Sequence, residues 1–390
     1  MQRHSFSIVN IMVNKVVPLA LLALLCICTA PATGRQLLDA DTLEAEARGV
    51  DGKYKNDKPL IGILTQACHF CPGRSYVAAG FVKWIEAAGG RAVPIRFYAS
   101  DNELHRLFKS VNGIIFPGGL TDIWLDNPYV IAARKLWTWA REANDAGDIF
   151  PIWGTCLGFQ LLHVLEANVS FTELLIRTDS VGHASTLDLT EAAPSSALFG
   201  GISPHLARKV ADPALNITME NHYFGLPPEH YQRWGVLGEA FTVVSTTRDR
   251  VGVEYISTAE HRRYPFFATQ WHPEKPPYEF GMKAIPHSLD AVLVSQHLAN
   301  VFVDTARRSG HEPESHEEEL VMLIYNTKPY FTLKDSVMDR SYDGPDMTYF
   351  FDSKDDAPDN GLRGGEPRGS TSFAGRVYRG QEAPHLTAWA

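Results

Sequence analysis

The chain has 390 residues and a net charge of −9, and 45% of its residues are hydrophobic. This length allows one large domain or two modest ones, and the composition is typical of a globular protein with a buried core. The acidic balance argues against nucleic acid as the main partner.

The beginning of the chain predicts an export signal. Lys15 precedes an apolar run over residues 16–28, and small residues follow as far as Gly34. A charged region, a short apolar core and a small-residue zone are typical of a signal peptide, which we place at residues 1–34. The run is short for a transmembrane helix, so we expect no stable membrane span, with a retained signal anchor as the alternative. The expected destinations are the extracellular space, the lysosome or the vacuole. Residues 35–57 are polar and are predicted to form a mobile lead-in.

From residue 58 the chain alternates apolar strands with helical patterns. The predicted strands lie at 59–65, 91–95, 113–116 and 150–153, and the predicted helices at 75–88, 103–110, 129–146 and 159–167. This alternation predicts the α/β class, with a doubly wound, mostly parallel sheet that carries helices on both faces.

The second half of the predicted domain, which ends at residue 333, is richer in strands. They are predicted at 186–189, 234–237, 241–246, 251–257, 266–271 and, as an edge strand, 320–325. An amphipathic helix is predicted at 288–308. The composition changes after about Lys334, and residues 352–380 are dominated by Asp, Gly, Pro, Arg and Ser, so we predict a disordered C-terminal tail at residues 334–390.

One cysteine stands at a Gly-x-Cys-x-Gly turn, formed by Gly154, Cys156 and Gly158 between a predicted strand and a predicted helix. Such a turn lifts a side chain clear of the sheet and aims backbone N–H groups at its target. Free cysteines are also often inert core residues, so the turn alone leaves nucleophile and core cysteine equally open.

The other cysteines favour the nucleophile. Cys26 and Cys28 lie in the predicted signal, and Cys68 and Cys71 could pair locally, stay as thiols or begin a metal site that no second ligand pair completes. Cys156 is then the odd thiol in an exported chain, which is easier to explain if it has a function. Export also makes the sequons at Asn168 and Asn216 candidate glycosylation sites.

A base for this thiol is predicted at a third strand end. His272 and Glu274 are two residues apart, so on extended backbone they point to one face. Glu274 would then orient the imidazole while its other nitrogen faces the sulfur. The amide of Leu157 and an amide of the Gly118-Gly119 turn, with Gly119 preferred, are the expected oxyanion donors. A chance His-x-Glu pair and an ordinary glycine turn are the plain alternatives.

Three segments carry a family resemblance. Phe116-Pro-Gly-Gly119, Pro151-Ile-Trp-Gly-Thr-Cys-Leu-Gly-Phe-Gln160 and Gln270-Trp-His-Pro-Glu-Lys-Pro-Pro-Tyr-Glu279 resemble the gamma-glutamyl hydrolase family, within the class I glutamine amidotransferase-like group. The resemblance covers about residues 58–333, and it is also visible in Gly73-Arg-Ser-Tyr76.

The resemblance implies particular roles. Cys156 is the nucleophile, His272 the general acid and base, and Glu274 the third member of a triad. It also implies substrate contacts at Gly118, Tyr76 and His222, although a surface loop position is the alternative for His222.

The implied reaction is hydrolysis of gamma-glutamyl amide bonds, above all in folate poly-gamma-glutamates, without a metal or other cofactor. The implied partner is this small-molecule substrate, and a monomer and a homodimer both stay open. Two rivals remain: a glutaminase subunit that feeds a synthetase, and a secreted binding protein on the same scaffold.

Overall fold

A computed structural model of the protein describes residues 54–68, 73–333 and 344–353. The strands are β1 (Leu60–Leu64), β2 (Gln66–Ala67), β3 (Gly73–Ala78), β4 (Arg91–Ile95), β5 (Gly113–Phe116), β6 (Ile152–Thr155), β7 (Ile176–Ser185), β8 (Asp188–Leu189), β9 (Thr218–Gly225), β10 (Phe241–Arg248), β11 (Glu254–His261), β12 (Phe266–Thr269) and β13 (Thr348–Ser353). The helices are α1 (Ala79–Ala87), α2 (Asp101–Ser110), α3 (Pro128–Asp145), α4 (Leu157–Ala167), α5 (Phe171–Leu174), α6 (Pro204–Val210), α7 (His230–Arg233), α8 (Gly235–Ala240), α9 (Leu289–Ala306) and α10 (His316–Met322). Short 3-10 helices span Ala193–Ser195 and Ile324–Asn326.

The main sheet has eight strands in the order β4-β1-β5-β6-β12-β11-β10-β8. Five neighbouring strands run parallel, namely β4, β1, β5, β6 and β12. The sheet continues with antiparallel pairing through β11, β10 and β8. Two smaller sheets are formed by β13-β3-β2 and by β7-β9. The α/β class with a mostly parallel sheet and a strand-rich second half is therefore confirmed.

The sheet is covered on both faces, as the apolar strands predict. Every residue of β1 is buried, which is typical of a parallel strand between two helical layers. One core cluster draws on α2, α3 and α4, and the other on α1 and α9. In the second cluster Trp84, Trp153 and Phe302 pack against one another.

The helix predicted at 75–88 is wrong in its first part, because β3 precedes α1 there. Residues of β3 alternate between buried and half-buried, and they pair antiparallel with β2 and β13. The partner β13 lies more than 250 residues away in sequence. Local spacing cannot reveal a strand whose partner is so distant.

The predicted disordered tail is likewise wrong for Thr348–Ser353, which forms β13. Its entry to the sheet is held by Asp346, whose carboxylate accepts hydrogen bonds from the amides of Phe280 and Gly281 at 2.7 and 2.9 Å. Long-range pairing thus orders a segment whose composition alone favours disorder.

Two predicted strands are helical. Trp234 joins α7 to α8, and residues 235–237 lie in α8, where the buried Leu237 and Ala240 follow helical spacing. Residues 320–322 belong to α10, and residues 324 and 325 belong to the 3-10 helix that follows it. Exposed Leu320 and Val321 precede buried Met322 instead of alternating with it. The strands β7 and β9 were not predicted from the sequence.

Several predictions fall outside the described residues. They are the signal peptide, the lead-in before residue 54, the state of Cys71 and the tail beyond residue 353. Within the described ranges, the structure contains no helix that is both long and apolar enough to cross a membrane.

Candidate active site

The candidate site lies at the carboxyl ends of two neighbouring parallel strands, where open α/β sheets collect their functional residues. Cys156 directly follows β6, and its amide donates to the carbonyl of Thr269, the last residue of β12, at 2.8 Å. His272 follows β12, and its amide donates to the carbonyl of Met219 in β9 at 2.8 Å. The sheet therefore brings together two residues that are 116 positions apart in sequence.

The backbone at Cys156 forms a sharp turn between β6 and α4. Its φ is 52° and its ψ is −104°, a left-handed region that non-glycine residues rarely occupy. The glycines on either side permit the turn: a Cβ at Gly154 would lie 2.5 Å from the carbonyl oxygen of Gly158, and one at Gly158 only 1.8 Å from that of Phe116. The Gly-x-Cys-x-Gly pattern is thus required by close backbone packing.

His272 has one ring nitrogen held and the other available. Its Nδ1 lies 2.7 Å from Oε1 of Glu274, and both side chains are buried. Within the described residues, Nε2 of His272 has no hydrogen-bond partner. Gly118 adjoins both residues: a Cβ there would be 2.8 Å from Cε1 of His272 and 3.3 Å from Cβ of Cys156. A side chain at this position would therefore displace the imidazole and crowd Cys156.

Electrostatics favour a neutral pair before substrate binds. Burial raises the pKa of the Cys156 thiol to about 12, the Glu274 charge adds to the rise, and the Leu157 amide lowers it. Burial also lowers the pKa of His272, which Glu274 partly offsets. At neutral pH the thiol therefore keeps its proton, and the imidazole is neutral and able to accept it.

A buried glutamine that sequence reasoning missed supports the glycine turn. The side-chain amide of Gln66 donates to the carbonyl of Pro117 at 3.2 Å, and its oxygen accepts from the amide of Thr121 at 3.3 Å. A Cβ at Gly119 would lie 2.5 Å from Cδ of Gln66. Gln66 thereby fixes both ends of the turn. The only sequence signal was a polar residue just behind the first strand.

The strand β9 forms another wall of the site. The thiol of Cys156 lies 3.7 Å from the carbonyl oxygen of Asn221. His222 is buried, and its nitrogens lie 3.0 Å from Oε2 of Glu220 and 3.1 Å from the hydroxyl of Thr178. His222 thus adjoins the site with both nitrogens occupied, and its predicted substrate contact stays a prediction.

The remaining predicted residues lie further out. Tyr76 is half-buried in β3, opposite Gln66 in strand register. Asn168 and Asn216 are both exposed. Cys68 is disulfide-bonded, whereas Cys156 is free.

Comparison with known proteins identifies relatives of the chain. The family model Peptidase C26 matches residues 59–274. Gamma-glutamyl hydrolase of Bos taurus is 38% identical over 290 residues, which cover 73% of this chain and 89% of that protein. Gamma-glutamyl hydrolase B of Dictyostelium discoideum is 36% identical over 293 residues, which cover 74% and 83%. The human gamma-glutamyl hydrolase is 38% identical over 280 residues, which cover 70% and 86%.

The fold and the family match define the class: an α/β enzyme of the Peptidase C26 type. Within that class, the chain belongs to the gamma-glutamyl hydrolase family, and its reaction is gamma-glutamyl hydrolysis.

Proposed function

We propose that the protein hydrolyses the gamma-glutamyl bonds of folate poly-gamma-glutamates through a thioester on Cys156. The observation that carries this proposal is the site geometry: Cys156 stands in a strained turn beside His272, whose Nε2 lacks a partner within the described residues. A buried lone pair next to a thiol is what proton transfer from sulfur requires.

In the first half of the reaction, the sulfur of Cys156 attacks the gamma-carbonyl carbon while its proton moves to Nε2 of His272. The amides of Leu157 and Gly119 stabilise the oxyanion. His272 then returns the proton to the leaving amine as the C–N bond breaks, which leaves a thioester. Glu274 holds Nδ1 and stabilises the transient imidazolium charge.

In the second half, His272 removes a proton from water, whose oxygen attacks the thioester carbon. The C–S bond breaks, and the sulfur takes back the proton from His272. The products are the shortened polyglutamate, with a free gamma-carboxylate, and the released amine. No step requires a cofactor.

Replacement of the nucleophile tests the mechanism. We expect Cys156→Ala to lower the rate of glutamate release from a pteroylpolyglutamate by a factor of at least about a thousand, because no other group can form the thioester. Circular dichroism and the Tm serve as the folding control. Substantial activity in a folded Cys156→Ala protein would exclude Cys156 as the nucleophile.

The location of the protein is a second part of the proposal. We propose that the chain enters the secretory pathway and carries glycans at Asn168 and Asn216. Both side chains are exposed, and the disulfide at Cys68 fits an oxidising compartment. Expression in a secreting eukaryotic cell, followed by glycosidase treatment, tests this: an unchanged mass after treatment would refute glycosylation.

A further inference from the structure

A group of basic and phenolic side chains lies, like Cys156, at the carboxyl ends of the parallel strands. Arg96 and Tyr98 follow the carboxyl end of β4, and Arg74 lies on β3 above them. The guanidinium of Arg74 stacks on the ring of Tyr98, with Cζ 3.9 Å from its centroid. The hydroxyl of Tyr98 lies 3.2 Å from that of Ser75, which ties the two segments together.

This group already holds a carboxylate from the chain itself. Nε of Arg96 donates to Oδ2 of Asp352 at 2.9 Å, and the hydroxyl of Tyr98 donates to the same oxygen. The contact leaves 37% of the Arg96 side chain and 42% of the Asp352 side chain exposed, so solutes can reach it.

The backbone at Asp352 is strained. Its φ is 52°, in the left-handed region, although it belongs to β13. Release of the Asp352 carboxylate would relieve this strain, which favours its replacement by another carboxylate.

The spacing of strands relates this group to the nucleophile. From β4, which precedes Arg96, the strands β1 and β5 lead to β6, which precedes Cys156. Adjacent strands are about 4.8 Å apart, so the two strand ends are roughly 14 Å apart along the edge. A gamma-linked glutamyl residue has two more backbone bonds than an alpha-linked one and spans roughly 6 Å. The basic group therefore lies two to three glutamyl residues from Cys156.

We propose that Arg74, Arg96 and Tyr98 form a subsite for the carboxylate of a distal glutamyl residue, and that Asp352 occupies this subsite when no substrate is bound. The inference rests on the proposed function and extends it to substrate length. A chain with a net charge of −9 repels a polyanion at long range, so local basic groups are needed to bind it. Asp352 competes with the substrate for them.

Steady-state kinetics of the full chain on pteroyl-di-gamma-glutamate and pteroyl-hexa-gamma-glutamate test the subsite. Arg96→Gln removes the cation, so KM for the hexaglutamate rises about fivefold while kcat/KM for the diglutamate stays within about twofold. Arg74→Gln changes the same constants in the same direction. Asp352→Asn removes the competitor, so KM for the hexaglutamate falls severalfold. Competition between Asp352 and the substrate thus predicts that KM for the hexaglutamate rises in Arg96→Gln and falls in Asp352→Asn.

If the ion pair between Arg96 and Asp352 had a purely structural role, both variants would change the hexaglutamate KM in the same direction, because each variant breaks the same contact. A rise in the hexaglutamate KM in both variants, or equal changes for both substrates, overturns the subsite. Arg263→Gln is the matched control: Arg263 pairs with Asp145 at 2.7 Å, and it precedes the amino end of β12, whereas Arg96 follows the carboxyl end of β4. If the unmodified protein cleaved neither substrate, the proposed function itself would be refuted. If it cleaved both, and Arg96→Gln left the ratio of their kcat/KM values unchanged, only the subsite would be refuted.

Discussion

Two buried histidines in this protein each lie two residues from a buried glutamate and contact it. Nδ1 of His272 is 2.7 Å from Glu274, and Nε2 of His222 is 3.0 Å from Glu220. All four side chains are almost inaccessible to solvent. By residue type, spacing and burial, either pair could serve as a catalytic base with its orienting carboxylate.

The two pairs differ in the second nitrogen of the imidazole. In His222 that nitrogen lies 3.1 Å from the hydroxyl of Thr178, and Glu220 has two further donors, Ser185 and Ser257. In His272 the corresponding nitrogen has no partner among the described residues. A fully satisfied pair stabilises the fold, whereas an unsatisfied one keeps a lone pair for chemistry. The catalytic site is therefore distinguished by the ring nitrogen without a hydrogen-bond partner, more than by the His–Glu pair itself.

Loss of the free lone pair should have the largest effect on activity. We expect His272→Gln to lower kcat by a factor of about a thousand or more, because no base remains to take the thiol proton. KM should change little, because His272 acts on the substrate by proton transfer in the transition states and not in ground-state binding. Steady-state kinetics on a defined polyglutamate measure both constants.

Labelling of Cys156 with iodoacetamide supplies the control. Since His272 promotes loss of the thiol proton, labelling should slow in His272→Gln, whereas His222→Gln should label at nearly the native rate. If the two variants labelled equally fast, the contrast between the two histidines would be lost.

A smaller loss is expected when the satisfied pair is broken. His222→Leu removes one partner of the buried Glu220, and the strand that carries it also supplies the Asn221 carbonyl beside Cys156. A small shift of that wall misplaces the nucleophile, so we expect kcat to fall about tenfold to a hundredfold. The free energy of unfolding should fall by about 1 to 3 kcal/mol.

The split between kcat and KM decides whether His222 acts indirectly. Urea unfolding and steady-state kinetics on the same preparation measure both quantities, and His222→Gln, which can still donate and accept, should restore most of each. A tenfold higher KM with unchanged stability would instead make His222 the direct substrate contact that its sequence segment suggested.

The parallel half of the sheet and the position of the site could be predicted from the sequence because their signals are local. Buried parallel strands are continuous apolar runs such as β1, and helices show their spacing within one segment. The strands β3, β7, β9 and β13 could not be predicted in this way, because they owe their order to partners far along the chain.

The residues of the site show the same difference between local and long-range signals. Cys156 and His272 were predictable because a glycine turn and a His-x-Glu pair are local patterns at strand ends. Gln66 and the Asp352 contact were not, because each depends on bonds between distant segments. Nor could spacing tell that His222 has both nitrogens occupied. Sequence shows which groups are present, and only the fold shows which of their atoms are left unpaired.

The smallest effect should come from neutralising the carboxylate behind His272. Glu274→Gln keeps an oxygen that can accept from Nδ1, so the ring stays oriented, but the charge that supports the imidazolium is lost; we expect kcat to fall about tenfold.

Glu274 also raises the pKa of His272 against the larger lowering by burial. The base works only when neutral, so activity falls as pH drops through this pKa. Without Glu274 the pKa is lower still, and the acid limb of the kcat/KM profile should move to lower pH. Glu220→Gln, a change of the same chemistry in the satisfied pair, should move that limb less. If the limb stayed in place in Glu274→Gln, another group would control the titration, and the assignment of His272 as the base would fail.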